Sequence, residues 1–287
     1  MKSVSELLRV GPGPVDLSAI DPRGTPGLPG RKSDPKAWSR TALDELGPHL
    51  GDLQQRLYAE AKKTGSRRRV LLVLQAMDCG GKDGTITRVV GELNPLGLRI
   101  VGFGPPTAEE LSHHFLWRIR NALPPDGYVG IFNRSHYEDV LVVRVHGLVP
   151  ARTWRARYDQ INRFEQGLIE DGVTLVKVML HISYEEQGQR LLERLDDPTK
   201  YWKYNPADVN ERERWAQYQQ AYADALTRCS TPVAPWYVVP ADRKWYRNWA
   251  VAHLLKEALE GLDLAYPEPD FDVAGERRRL LASIPHK

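Results

Sequence analysis

Residues 75–86 read Q-A-M-D-C-G-G-K-D-G-T-I: a Gly-Gly-Lys turn that closes the apolar run starting at Val70 and leads into a helical pattern. Glycines let successive backbone N–H groups converge on an anion, and the N-terminus of the following helix adds positive potential. The lysine brings a charge to the phosphate being moved. Gly80, Gly81 and Lys82 fill those places, with Cys79, Asp83 and Gly84 as their neighbours in the phosphate-binding turn. Two positions depart from G-x-x-x-x-G-K-[ST]. Ala76 replaces the first glycine, and Asp83 replaces the hydroxyl residue that otherwise meets magnesium. Metal must then be held differently, and Asp78, inside the turn, is the first candidate for metal or nucleophile work. Its structural alternative is to cap the helix through backbone N–H groups.

A second constellation follows about 50 residues on, where Y-V-G-I-F-N-R-S at 128–135 ends an apolar run on Asn133. P-loop kinases present an aspartate to magnesium at such a strand end, and an amide is a weaker partner, so Asp78 must supply charge there. Arg134 is placed to meet an oxyanion bidentately, or else to form a structural salt bridge. Glu138 and Asp139 lie within reach of the same strand end, or are solvated acids at a helix N-terminus. Arg190 and Arg194, one helical turn apart, lead into Lys200 and Lys203. Alone, that run reads as a solvated helix face with Glu186 paired to Arg190; after a phosphate loop it reads as a cationic lid that excludes water. Arg243 and Lys244 follow the apolar run 235–240, at the carboxyl end of an expected strand, where such sheets bind ligand. Cys79 reads as a small loop residue and not as a nucleophile. His113, His114 and the tryptophans read as packing residues.

The elements that must position these residues follow from periodicity. Apolar runs at 69–77, 98–103, 128–133, 173–181 and 235–240 alternate with helical patterns. This predicts an α/β fold: a central, mostly parallel five-stranded sheet covered on both faces in three layers. Leu43, Leu46, Leu50, Leu53 and Leu57 predict a docked amphipathic helix over 38–63. Ile86, Val89, Val90 and Leu93 give the helix after the loop one apolar stripe, which Pro95 and Gly97 end. Ser183 and Glu186 read as a capping box for a helix that stops at Asp197-Pro198; a loop over 196–205 and a second long helix after Pro206 follow. Residues 1–37, dense in Gly and Pro, read as an extended arm, and 38–287 as one domain with the lid around 184–210.

With 287 residues, net charge +3 and pI near 8.8, the chain suits an anionic ligand but lacks the basic stripe of a nucleic-acid binder. Two cysteines make no disulfide framework or zinc site, and no apolar run is long enough to span a membrane. A soluble protein of the reducing cytoplasm is expected. No Asn-Lys-x-Asp guanine-reading motif occurs, which argues against a nucleotide switch. What remains is phosphoryl transfer, with the loop amides, Lys82 and Mg²⁺ stabilising the transferred group.

Four segments then carry a family resemblance: 75–86 as above, F-N-R-S-H-Y-E-D-V-L-V-V-R-V-H at 132–146, L-E-R-L-D-D-P-T-K-Y-W-K at 192–203, and A-P-W-Y-V-V-P-A-D-R-K-W-Y at 234–246. Together with D-P-x-x-T-P-G at 21–27 they make nearly the whole chain resemble the polyphosphate kinase 2 family. The F-N-R-S-H-Y-E-D version resembles the class that acts on nucleoside mono- and diphosphates. The resemblance implies a thymidylate-kinase-like P-loop fold that moves phosphoryl groups reversibly between inorganic polyphosphate and AMP or ADP with Mg²⁺, with guanine nucleotides as alternative acceptors. It implies metal or acceptor work for Asp78, with Asn133 as second metal position, and phosphate contacts for Lys82 and Arg134. Arg194, Lys200 and Lys203 fall in the lid. Asp78, Lys82, Arg134 and Arg194 form the expected catalytic set. Dimers or tetramers are implied too, and the leucine stripe of 43–57 is either their contact surface or intramolecular packing. The rival enzyme is an ATP-dependent nucleoside monophosphate kinase.

Overall fold

Every residue of the strand β1, Arg69–Ala76, is buried, because neighbours lie on both edges and layers on both faces. That is why its sequence is a continuous apolar run and not an alternating one. In the computed structural model, which describes residues 2–30, 33–91 and 93–284, β1 is joined by β2 (Leu98–Gly102), β3 (Val129–Asn133), β4 (Val173–His181) and β5 (Trp236–Pro240). All pairings are parallel, in the order β2-β3-β1-β4-β5. The five expected strands are these five, within two residues at each end.

Period-two alternation sends the two sides of β1 to different layers. Val70, Leu72 and Leu74 pack with Leu50, Leu53 and Leu57 of the Pro35–Thr64 helix and with the Lys244–Glu260 helix. Leu71 and Val73 face Ile119, Phe132 and Leu168 on the opposite side, under the Trp117–Ala122 and Ala151–Glu170 helices. The leucine stripe of 43–57 is thus packed inside the chain, with Leu43 and Leu46 against the same cluster.

Several boundaries differ from the sequence reading for local reasons. The long helix starts at Pro35, where Asp34 accepts the N–H groups of Lys36 and Ala37, so it reaches into the segment read as arm. That segment is not uniformly extended: Val4–Leu8 is a short helix with its own capping box, and the Glu257 carboxylate accepts the Val4 and Ser5 N–H groups. The capping box at Ser183 is only half formed. Its oxygen takes the Glu186 N–H, but its own N–H goes to Asp242, and the Glu186 carboxylate turns to Arg190. The loop over 196–205 contains a 3₁₀ helix, Pro198–Lys203. The single helix expected after Pro206 is two, Ala207–Glu213 and Trp215–Cys229, broken at Arg214. His113 and His114, read as packing residues, lie between the Ala108–Ser112 and Trp117–Ala122 helices. No described helix is long and apolar enough to cross a membrane.

Candidate active site

The strand order changes direction at β1, so the crevice beyond its carboxyl end is where an open parallel sheet binds ligand. There β1 runs into the turn 77–81 and the Lys82–Val89 helix. Gly81 has φ +97°, and a side-chain carbon added to it would collide with the Arg247 guanidinium. Cys79 and Arg134, neither of them glycine, also hold left-handed φ of 61° and 65° at the ends of β1 and β3. Strain of about 1 kcal/mol per such residue persists where function fixes the geometry. Replacing Gly81 by alanine should therefore lower the melting temperature and remove most activity, since both backbone and neighbour resist a methyl group. A variant with wild-type melting and turnover would contradict this reading of the turn.

Beyond the turn lies a cleft of about 490 Å³, lined by twice as many lysines and arginines as acids. Of the residues read from sequence, Asp78, Cys79, Gly81, Lys82, Asp83, Gly84, Asn133 and Arg134 line it. So do Arg190, Arg194, Lys200, Lys203 and Lys244, brought in from segments distant in the chain. Glu138 sits behind them, and Arg243 lines the neighbouring groove instead.

The Lys82 ammonium donates to the Ala76 carbonyl at 3.2 Å. Burial, and next the Arg134 charge, hold its pKa below the ordinary lysine value, so the ammonium gains from an incoming anion. Arg134 donates to Asp78 at 2.8 Å and to Glu138 at 3.2 Å, while Gln75 holds the other oxygen of Glu138. Burial works against the Arg134 charge, but Glu138 and Asp78 outweigh it and raise its pKa. Asp139 is turned away from this group and pairs with Arg157.

Two expected roles change in detail. Asn133 donates its amide to Asp83 at 2.7 Å. An aspartate at 133 would oppose two carboxylates at that distance, so the acid after Lys82 and the amide at the strand end are one exchange of donor and acceptor. Arg190 is largely scaffold. Its guanidinium bonds Glu186 and the carbonyls of Cys79, Ala241 and Asp242, which ties the loop to the end of β5 and leaves one of five N–H groups for a ligand. Arg194 keeps freer donors, bonding the Lys203 carbonyl at 2.9 Å and Asp208 at 3.3 Å. Burial raises the Cys79 thiol, in keeping with a loop residue and not a nucleophile.

Behind β3, the strand-end turn is anchored by buried charges. Lys177 donates to Glu165 at 2.5 Å and to the Tyr137 hydroxyl at 3.0 Å, and the His136 ring meets the other Glu165 oxygen at 3.1 Å. Burial opposes the Glu165 charge, yet Lys177 and His136 hold its pKa below the usual value. This network fixes the backbone from which Arg134 and Glu138 project.

Three features had no clear signal in the sequence. Arg247 and Asp208 line the cleft, and a larger groove of about 1050 Å³ adjoins it, sharing Glu193 and Lys244. Arg23, Lys36, Arg40, Arg88 and Arg243 line this groove and make no ion pair among the described residues. Most of its acids are engaged: Asp34 with helix N–H groups, Asp242 with Ser183, Glu186 with Arg190 and Glu193 with Lys244. Only spatial closeness unites residues so far apart in the chain.

Comparison with known proteins places the chain among relatives of one family. An AMP/ADP-polyphosphate phosphotransferase of Meiothermus ruber is 49% identical over 263 residues, 91% of this chain and 95% of that protein. An ADP-polyphosphate phosphotransferase of Rhodopseudomonas palustris is 41% identical over 285 residues, 93% and 94% of the two chains. The crystal structure of polyphosphate kinase 2 from Arthrobacter aurescens TC1 superposes with a TM-score of 0.94 at 49% identity, covering 98% of each chain. The family model for polyphosphate kinase 2 matches residues 38–266, and with the phosphate turn, the β3 strand end and the basic cleft in their expected places, the chain belongs to the polyphosphate kinase 2 family.

Proposed function

We propose that this protein transfers phosphoryl groups from inorganic polyphosphate to AMP and ADP, giving ADP and ATP reversibly. The observation that carries the reading is the continuity of two anion sites. The P-loop cleft, sized for a few phosphates, opens past Lys244 into a groove where Arg23, Lys36, Arg40, Arg88 and Arg243 make no ion pair among the described residues. A polyphosphate chain brings phosphates to that whole row of cations, whereas a nucleoside triphosphate brings three and then an uncharged nucleoside. The name of the M. ruber relative supports both acceptors, and that of the R. palustris relative supports ADP.

In this mechanism the terminal donor phosphate lies on the amides of 79–82 and the Lys82 ammonium, with its remaining chain along Arg243, Arg88 and Arg40. The acceptor phosphate meets Arg134 and Arg194. The segment 184–213 acts as the lid, carrying Lys200 and Lys203 toward the cleft and excluding water. Transfer needs no covalent enzyme intermediate: the acceptor oxygen forms its bond to phosphorus as the bridging oxygen leaves with the shortened chain. Asp78 and Asp83, flanking Lys82, are the carboxylates available to Mg²⁺, although no cluster of three acidic, His or Cys ligands exists among the described residues. Two carboxylates suit an ion that keeps several waters and takes its other ligands from substrate phosphates. When bound there, Mg²⁺ would neutralise negative charge on the substrate phosphates. Asn133 acts through Asp83.

A cytoplasmic homo-oligomer is part of the proposal, with the exposed Val273, Leu280 and Leu281 of the Val273–Ser283 helix as apolar surface to cover. The test of donor identity is phosphorylation of AMP with polyphosphate or ATP as the sole donor. Polyphosphate is expected to give the higher kcat/KM; a preference for ATP would favour the monophosphate-kinase reading.

A further inference from the structure

Arg247 stands in the first turn of the Lys244–Glu260 helix, 3% exposed, with its guanidinium in the wall of the phosphate cleft. Its Nε and Nη2 donate to the Asn248 side-chain oxygen at 3.1 and 2.9 Å, and its Nη1 reaches the Gly80 carbonyl only at 3.5 Å. The other arginines of the cleft have carboxylates: Arg134 has Asp78 and Glu138, Arg190 has Glu186, and Arg194 has Asp208. Arg247 has none among the described residues, and the charged group that acts on it is another cation, Arg190. A buried guanidinium without a counter-ion is costly, so the cost must be recovered in a state that supplies an anion. Burial and then Arg190 pull its pKa down to about 9, which leaves it charged at neutral pH.

Its placement says which anion. Nη1 occupies the space that a side chain at Gly81 would need, and Nη2 is 3.3 Å from where one at Gly84 would begin. The fork therefore lies against the loop that holds the transferred phosphate. Its helix also forms the partition between the two anion sites: Lys244 lines both, Asn248 lines the outer groove and Arg247 the cleft.

We propose that Arg247 binds the donor polyphosphate directly, taking a non-transferred phosphate on its free Nη N–H groups where the chain passes from the P-loop to the outer groove. The inference rests on the reading of that groove as the donor path. It makes Arg247 a donor-side residue, distinct from Arg134 and Arg194 on the acceptor side, and explains why Gly81 must lack a side chain beyond its backbone angle.

The test is Arg247→Met, which keeps length and apolar packing but removes the charge and the fork. Its KM for polyphosphate is expected to rise at least about tenfold while the KM for ADP stays within about twofold. Titration of the protein with tripolyphosphate alone should show the same loss. Should the methionine variant not fold, Arg247→Lys keeps the charge and is expected to weaken tripolyphosphate binding by about threefold to tenfold. Tripolyphosphate affinity equal to wild type in either variant overturns the inference, as does a rise confined to the KM for ADP. Wild-type protein that takes up no tripolyphosphate overturns the donor-path reading and this inference with it.

Discussion

Replacing Lys82 by alanine is expected to lower turnover by about a thousandfold or more and leave the fold intact. The two halves of this expectation have one physical source. Lys82 is half-buried in the cleft wall, its ammonium has one protein hydrogen bond among the described residues, to the Ala76 carbonyl, and desolvation together with Arg134 depresses its pKa. In the protein without substrate the charge is therefore held at a cost. A lysine whose folded pKa lies below the unfolded value destabilises wherever it is charged in both states. That cost disappears as pH rises through the folded value toward the ordinary value of 10.5. Removing it at neutral pH should thus leave the melting temperature unchanged or raise it, while the transferred phosphoryl loses its counter-charge. Thermal melts and initial rates check both halves. A variant that keeps a tenth of wild-type turnover, or that unfolds, would contradict the account.

Asp78→Asn is expected to cost about a hundredfold or more in turnover, with an altered dependence on magnesium. Asp78 accepts from Arg134 at 2.8 Å, and Arg134 is also held by Glu138 at 3.2 Å. An amide at 78 can still accept that hydrogen bond, so the arginine should stay near its place while the carboxylate charge is lost. The loss should accordingly appear as a higher magnesium requirement and a lower kcat more than as weaker nucleotide binding. Combined with Arg134→Ala, the effects should be less than additive, because the two side chains act as one contact. Full activity in Asp78→Asn at all magnesium concentrations would remove Asp78 from the site.

Much of the scaffold was legible from the sequence because it rests on periodicity. The five strands announce themselves as apolar runs, and the phosphate turn follows the most buried of them. The basic segment 190–203 was legible as a cluster, since its members are neighbours along one helix and the turn after it. The division of labour within that cluster was not. Arg190 and Arg194 look alike in sequence, but the carbonyls of Cys79, Ala241 and Asp242 converge on Arg190 alone. Asp83 and Asn133 each read as a local departure. Only the parallel pairing of β1 with β3 shows that they face each other and exchange roles. Arg247 carries no pattern at all: it is one of several basic residues in a largely buried helix, and its significance arises from burial with no carboxylate partner among the described residues. The outer groove is built from Arg23 and from residues within 33–44, 87–91, 186–193 and 242–248, whose convergence depends on docking the Pro35–Thr64 helix beside the Lys244–Glu260 helix.

The most direct measurement is made without any nucleoside triphosphate supplied. Purified protein is incubated with ADP, Mg²⁺ and long-chain polyphosphate, and ATP is followed with Lys82→Ala as the control. ATP should accumulate at the expense of polyphosphate in the wild type and stay at background in the variant. No ATP from the wild type, or equal ATP from both proteins, would contradict the assignment of polyphosphate-driven transfer to this site.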